Sequence, residues 1–160
     1  MKLFNVVKTD IKDWKIIGGK LATRIVKDSD GGISQDGKGN TRDFESYDFK
    51  YAAKKSIGKA ASKGVSASRQ TSPPNLRLTG KMLDSIKAQN PTKTSVEILY
   101  ADGLKVMGNA KPPAWTKKPR RNIYGLNEKN QKFLEDFLSR KIENNILRFV
   151  AKDIEIDLNI

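Results

Sequence analysis

Apolar residues recur at intervals of three and four near both ends of this chain of 160 residues, and the stretch between is cut by glycine and proline. At the front, Phe4, Val7, Ile11, Trp14, Leu21 and Ile25 predict an amphipathic helix over 2–27, with Gly18 filling the gap in the stripe. Val6, Ile17 and Val26 widen the same face. Gly18-Gly19 weakens its middle by about 1 kcal/mol per glycine relative to alanine, which predicts a kink or break there. The stripe suits either a subunit-packing seam or the core-facing side of a surface helix.

At the back, Asn127 is an N-cap candidate for a helix over about 128–150. Its stripe is Leu134, Phe137 or Leu138, Ile142, Ile146 and Phe149, with Phe133, Leu147 and Val150 alongside. The period then changes. Ile154, Ile156, Leu158 and Ile160 alternate with Glu155, Asp157 and Asn159, which predicts a strand-like tail over 151–160. Such a strand either adds to a neighbouring subunit's sheet or pairs within its own.

The middle contains shorter pieces. Residues 28–42, DSDGGISQDGKGNTR, are predicted to form an exposed turn-rich loop. Asp28, Asp30 and Asp36 lack the register of an EF-hand loop, and Gly37 and Gly39 fit neither a dinucleotide fingerprint nor a P-loop. A helix is expected from Tyr47 to Gly58, followed by an exposed connector over 61–74. Thr79 is expected to cap a helix carrying Met82, Leu83 and Ile86 on one face. The alternation of Val96, Ile98 and Tyr100 predicts a half-buried strand over 94–100. Residues 101–109 suit either a helical turn or a strand. Prolines 112, 113 and 119 break residues 110–121, AKPPAWTKKPRR, into a basic loop. Together these pieces predict an α+β domain over 1–150: a long N-terminal helix, a small mostly antiparallel sheet, and a C-terminal helix packed on it.

Composition narrows the chemistry. With no histidine and no cysteine, Ser-His-Asp and Cys-His catalysis are impossible within the chain, and so are disulfides and Cys/His metal sites. A metal-dependent nuclease would need a Glu-x-Lys on a strand. None of Glu45, Glu97, Glu128, Glu135, Glu143 and Glu155 is followed by lysine two residues on. No cofactor, metal or catalytic residue is therefore expected. No segment reaches the roughly 18–20 apolar residues that span a bilayer, and charges at Lys8, Asp10 and Lys12 interrupt any apolar leader.

Lysine and arginine number 31 against 18 acidic residues, a net charge of +13. That excess suits a polyanion or acidic protein partner. Trp115, Lys117, Lys118, Arg120 and Arg121 form one candidate interface, able to track phosphate or anchor a subunit contact. Ile154, Ile156 and Leu158 form a second, through strand addition. No helix-turn-helix or RNP-type aromatic pair accompanies the charge, so sequence-specific recognition is not expected.

The order of certain segments is distinctive. Asp36-Gly37-Lys38 precedes the aromatic stretch from Tyr47 to Lys55. The box NLRLTGKMLDSI (75–86), a strand, and then RNIYGLN (121–127) before a closing helix follow. This order resembles the neck and tail-completion proteins of tailed bacteriophages, also called virion morphogenesis proteins, over about residues 36–150. The basic insertion at 110–121 and the alternating tail depart from the usual pattern. The resemblance implies an α+β, non-enzymatic virion protein, assembled in the host cytoplasm, that forms a homo-oligomeric ring joining capsid portal and tail. Its implied partners are other neck, portal-adaptor or tail-tube proteins, with nonspecific proximity to packaged DNA and no membrane. The alternative is a sequence-nonspecific basic DNA-binding protein.

Overall fold

The computed structural model describes residues 9–39, 44–61, 63, 67–77, 80–101, 103–110 and 121–157. Helix α1 spans Ile11–Asp30, later than the predicted start at residue 2. Phe4, Val6 and Val7 lie outside the described residues. Asp10 is the N-cap, and its backbone N–H donates to the Asp13 carboxylate at 3.2 Å, one half of a capping box. The chain leaves α1 through Gly31 and Gly32. Gly32 has φ +76°, and a Cβ there would stand 2.7 Å from the Pro74 carbonyl oxygen.

No break occurs at Gly18-Gly19. The two glycines stand at neighbouring positions with different surroundings. A Cβ on Gly18 would meet Val96 Cγ2 at 2.7 Å and the Ala88 Cβ at 2.9 Å, whereas one on Gly19 meets nothing within 4 Å. Gly18 is therefore where a β-hairpin lies directly against the helix backbone. Close packing there offsets the helix penalty of the glycine.

That hairpin joins β1, Ile86–Gln89, to β2, Glu97–Tyr100, antiparallel with Ile86 opposite Tyr100 and Gln89 opposite Glu97. A Thr92–Ser95 turn closes it, with Thr92 N–H donating to the Ser95 carbonyl at 2.8 Å. Trp14 Nε1 and Thr9 Oγ1 both donate to the Lys93 carbonyl, at 3.0 and 2.6 Å, and clasp the turn to the start of α1. Helix α2 is Phe49–Ser56, capped by Asp48, whose Oδ1 accepts from the Lys50 and Tyr51 N–H groups. Helix α3 is a single turn, Lys81–Asp84. The helix predicted to include Ile86 stops before it. Ile86 is 7% exposed and enters β1, because pairing with Tyr100 and burial under α1 outweigh a helical spacing of only three apolar residues. Thr79, its predicted cap, lies outside the described residues. Residues 101–109 resolve as helix α4, Gly103–Ala110, which buries Val106.

Ala22, Ile25, Phe44, Leu83, Ile86, Val106 and Ile123 form the core, with Val26, Met82, Ile98, Tyr100 and Leu126 packed around it. Helix α1 covers the sheet. The closing helix α5, Glu128–Asp157, packs on α1 rather than on the sheet. Arg24 at one end of the contact and Asp13 at the other meet Asn130 and Lys141, so the helices run antiparallel. This is an α+β fold with a two-stranded antiparallel sheet.

Two predictions are corrected. The strand-like tail does not form over residues 151–157: α5 continues without interruption through the expected boundary at 150/151, so Ile154 and Ile156 have helical backbone, while Leu158 and Ile160 lie outside the described residues. No glycine or proline stands between Leu126 and Ile160. Extending an existing helix adds a hydrogen bond for each residue ordered, whereas an isolated strand must find a partner edge. The loop expected to be exposed over 28–42 begins inside α1, and Ser34 and Gln35 are buried. No helix among the described residues is long and apolar enough to cross a membrane.

Candidate functional site

Of the sequence-predicted interface residues, Arg121, Ile154 and Ile156 lie within the described residues. Trp115, Lys117, Lys118, Arg120 and Leu158 lie outside the described residues. Ile154 and Ile156 fall in the last turns of α5. Arg121, expected on the basic loop, is 6% exposed and turns inward. Its Nη2 donates to the Glu45 and Ser46 carbonyls at 2.8 and 3.3 Å, and its guanidinium carbon lies 4.6 Å from the centre of the Tyr47 ring.

Around Tyr47 the fold gathers a cluster that composition alone does not reveal. Lys55, on α2, is 1% exposed. Its Nζ donates to Tyr47 Oη at 2.9 Å and to Asn75 Oδ1 at 2.6 Å, and sits 4.5 Å from the Tyr47 ring centre. Tyr47 Oη also accepts from the Asn75 N–H at 3.1 Å. Desolvation, with the nearby Arg121 charge, pulls the Lys55 amine down to about 8, against a weaker opposing pull from Asp30. Burial also lowers Arg121 and raises Tyr47 and Tyr51. Arg121 Nε has no hydrogen-bond partner among the described residues. The amine faces tyrosine and asparagine rather than solvent, and the cluster ties α2 to the segments around Asn75 and Arg121.

A second buried network ties α5 to α1. Asp28 Oδ2 accepts from Gln35 Nε2 at 3.1 Å, Asn127 Nδ2 at 3.1 Å and Asn130 Nδ2 at 2.8 Å. Asn127 also caps α5, its Oδ1 accepting from the Asn130 N–H at 2.9 Å. Arg24 Nε donates to Asn130 Oδ1 at 2.7 Å, and the guanidinium covers Phe133 at 4.3 Å. Three amide donors on one carboxylate oxygen satisfy the buried Asp28 side chain.

The boxes singled out from sequence sit in these clusters. Asn75 is buried on Lys55, and Arg77 bridges Asp30 and Asp84, each at 2.9 Å. Leu83, Ile86 and Ile123 are core, and Asn127 is the α5 cap.

What the fold leaves outward is apolar helix surface. Beyond Lys141, α5 runs on for residues 142–157, about 24 Å of helix. Ile146 is 44% and Leu147 65% exposed. Open grooves of about 480 and 610 Å³ flank α1, both bounded by Lys15, Gly19 and Thr23. No group of three His, Cys, Asp or Glu side chains able to hold a metal occurs among the described residues. Comparison with protein-family models, curated protein sequences and solved structures gives no match.

Proposed function

We propose that this chain is a non-enzymatic structural protein of a phage virion, acting in the head–tail connector as a neck or tail-completion subunit. In this reading it assembles in the host cytoplasm into a ring between capsid portal and tail, touching other neck, portal-adaptor or tail-tube proteins. The resemblance over residues 36–150 supplies the identity of the assembly. The observation that favours assembly itself is the second half of α5, which extends past the start of α1 with Ile146 and Leu147 exposed. Apolar surface on a projecting helix is the kind that neighbouring subunits bury. A small core beside it is in keeping with stability shared between subunits.

Mass measurement of the purified chain, and imaging of particles, test this directly. A ring of defined size is expected, and deletion of 153–160 should weaken assembly while leaving the subunit's melting temperature within a few degrees. A strictly monomeric chain that binds duplex DNA with a steep salt dependence would replace this reading by the alternative, a sequence-nonspecific DNA-binding protein. The exposed lysines of α2 are what favour that alternative.

A further inference from the structure

Helix α2 carries an apolar stripe that nothing among the described residues covers. Phe49 is 84% and Ile57 57% exposed, and Ala53 between them is exposed too. Their spacing of four places all three on one helix face. Lys50 and Lys54 are also exposed on this helix, and residues 50–69 hold six basic residues and no acidic one.

The far part of α5 has the opposite charge. Ile146 and Leu147 are exposed, with Arg148 exposed beside them, and residues 142–157 carry four acidic residues, Glu143, Asp153, Glu155 and Asp157, against Arg148 and Lys152. In a chain of net charge +13, residues 153–160 contain three acidic residues and no basic one.

These surfaces stand at opposite ends of α1. Lys141 meets Asp13 at the helix start, and α5 runs outward from there. Helix α2 hangs from Asn75 through Lys55, next to Arg77, which pairs with Asp30 at the helix end. About 25 Å of α1 separates Asp13 from Asp30, so one copy cannot bring its own two surfaces together.

We infer that the apolar, basic face of α2 receives the apolar, acidic distal part of α5 from a second copy of this chain. The contact is heterologous, each subunit giving one surface and receiving the other, which builds a closed ring where the rotation closes. Apolar residues form its centre, and lysine–carboxylate pairs surround them and set the register. The inference rests on the ring reading above and specifies which surfaces make the ring.

The chain lacks native cysteine, so paired single-cysteine variants test the contact cleanly. Under mild oxidation, a mixture of Ile57→Cys and Leu147→Cys should give a covalent dimer, and neither variant alone should. Lys50→Glu with Lys54→Glu should weaken assembly at least tenfold, as should Asp153→Lys with Glu155→Lys and Asp157→Lys. An equimolar mixture of the two reversed chains should assemble again, because each restores the other's complement. Cross-linking of either single-cysteine variant with itself would overturn the head-to-tail contact. So would full assembly of both charge-reversed chains, which leaves the ring standing on other surfaces. If reversing Lys50 and Lys54 abolishes duplex-DNA retention but not assembly, the α2 face serves a polyanion and the inference fails. A wild-type chain that stays monomeric overturns the ring reading and this contact together.

Discussion

Lys141 Nζ lies 2.6 Å from Asp13 Oδ1, joining the middle of α5 to the first turn of α1. That hydrogen bond is the largest influence on Asp13, and it holds the carboxyl below its ordinary value near 4 against the opposing effect of burial. Asp13 also stands where an acidic side chain favours the helix N-terminus. The pair is partly exposed, so its worth is small.

Lys141→Ala should therefore lower stability at pH 7 by about 0.5 kcal/mol. A carboxyl with a depressed folded-state value stabilises above its unfolded value and loses that contribution as pH falls through the folded one. The difference between wild type and variant should shrink below about pH 4 and vanish once Asp13 is protonated. Urea unfolding at pH 7, 4 and 2.5 measures it, and an unchanging difference would mean that the pair is not the cause.

The adjacent glycines of α1 should respond oppositely to alanine. Gly18→Ala drives a methyl to within 2.7 Å of Val96 and 2.9 Å of Ala88, and should destabilise by about 1–3 kcal/mol. Gly19→Ala meets open space and should stabilise by up to about 1 kcal/mol through helix propensity. Thermal melts of the two variants beside wild type decide this. Equal effects would separate the hairpin from the α1 backbone at Gly18.

Lys55 predicts a rise in stability with pH. Its folded-state value of about 8 lies below the usual 10.5, so from pH 8 upward the unfolded chain holds more protons than the folded one. Burial works in the other direction on Tyr47, Tyr51 and Tyr100, the last raised to about 12, but those groups act mainly above pH 10. Between pH 7.5 and 9.5, wild type should gain on the order of 1 kcal/mol relative to Lys55→Met. Parallel stability profiles for the two would show that the amine keeps its ordinary affinity for protons.

Asn127 serves two networks at once. Asn127→Ala removes the α5 cap and the bonds to Asp28 and the Ser34 carbonyl, and should destabilise by about 2–3 kcal/mol. Asn127→Ser retains a capping oxygen but loses the amide donor, so it should recover roughly 1 kcal/mol of that. Hydrogen exchange should show the first turn of α5 opening in the alanine variant and closed in the serine variant.

Much of the fold was legible because its signals are local. Asn127 caps α5 where its short polar side chain reaches the next turn's N–H group, and the glycine after Ile57 ends α2, although the helix expected from Tyr47 starts only at Phe49, capped by Asp48. The 3.6-residue periodicity of α1 and α5 survives because each has a face to bury. The alternation that begins at Ile154 and Ile156 misled through residue 157 because local pattern competes with continuity. An unbroken helix propagates through residues that, detached from it, suit a strand. Ile86 misled in reverse, since its partner Tyr100 lies fourteen positions away and no local signal announces it.

The candidate site divides in the same way. Sequence alone determined a basic chain without histidine or cysteine, two long amphipathic helices and a small α+β core between them. Those properties follow from residue type and spacing, which any neighbour along the chain can sense. Only the tertiary structure decided that Arg121 and Lys55 turn inward onto Tyr47, that Gly18 is a contact and Gly19 is not, and that the exposed faces of α2 and α5 stand at opposite ends of α1. Burial of a charge and separation of two surfaces depend on which distant segments meet. Pairings across tens of residues set that, and periodicity and composition carry no record of them.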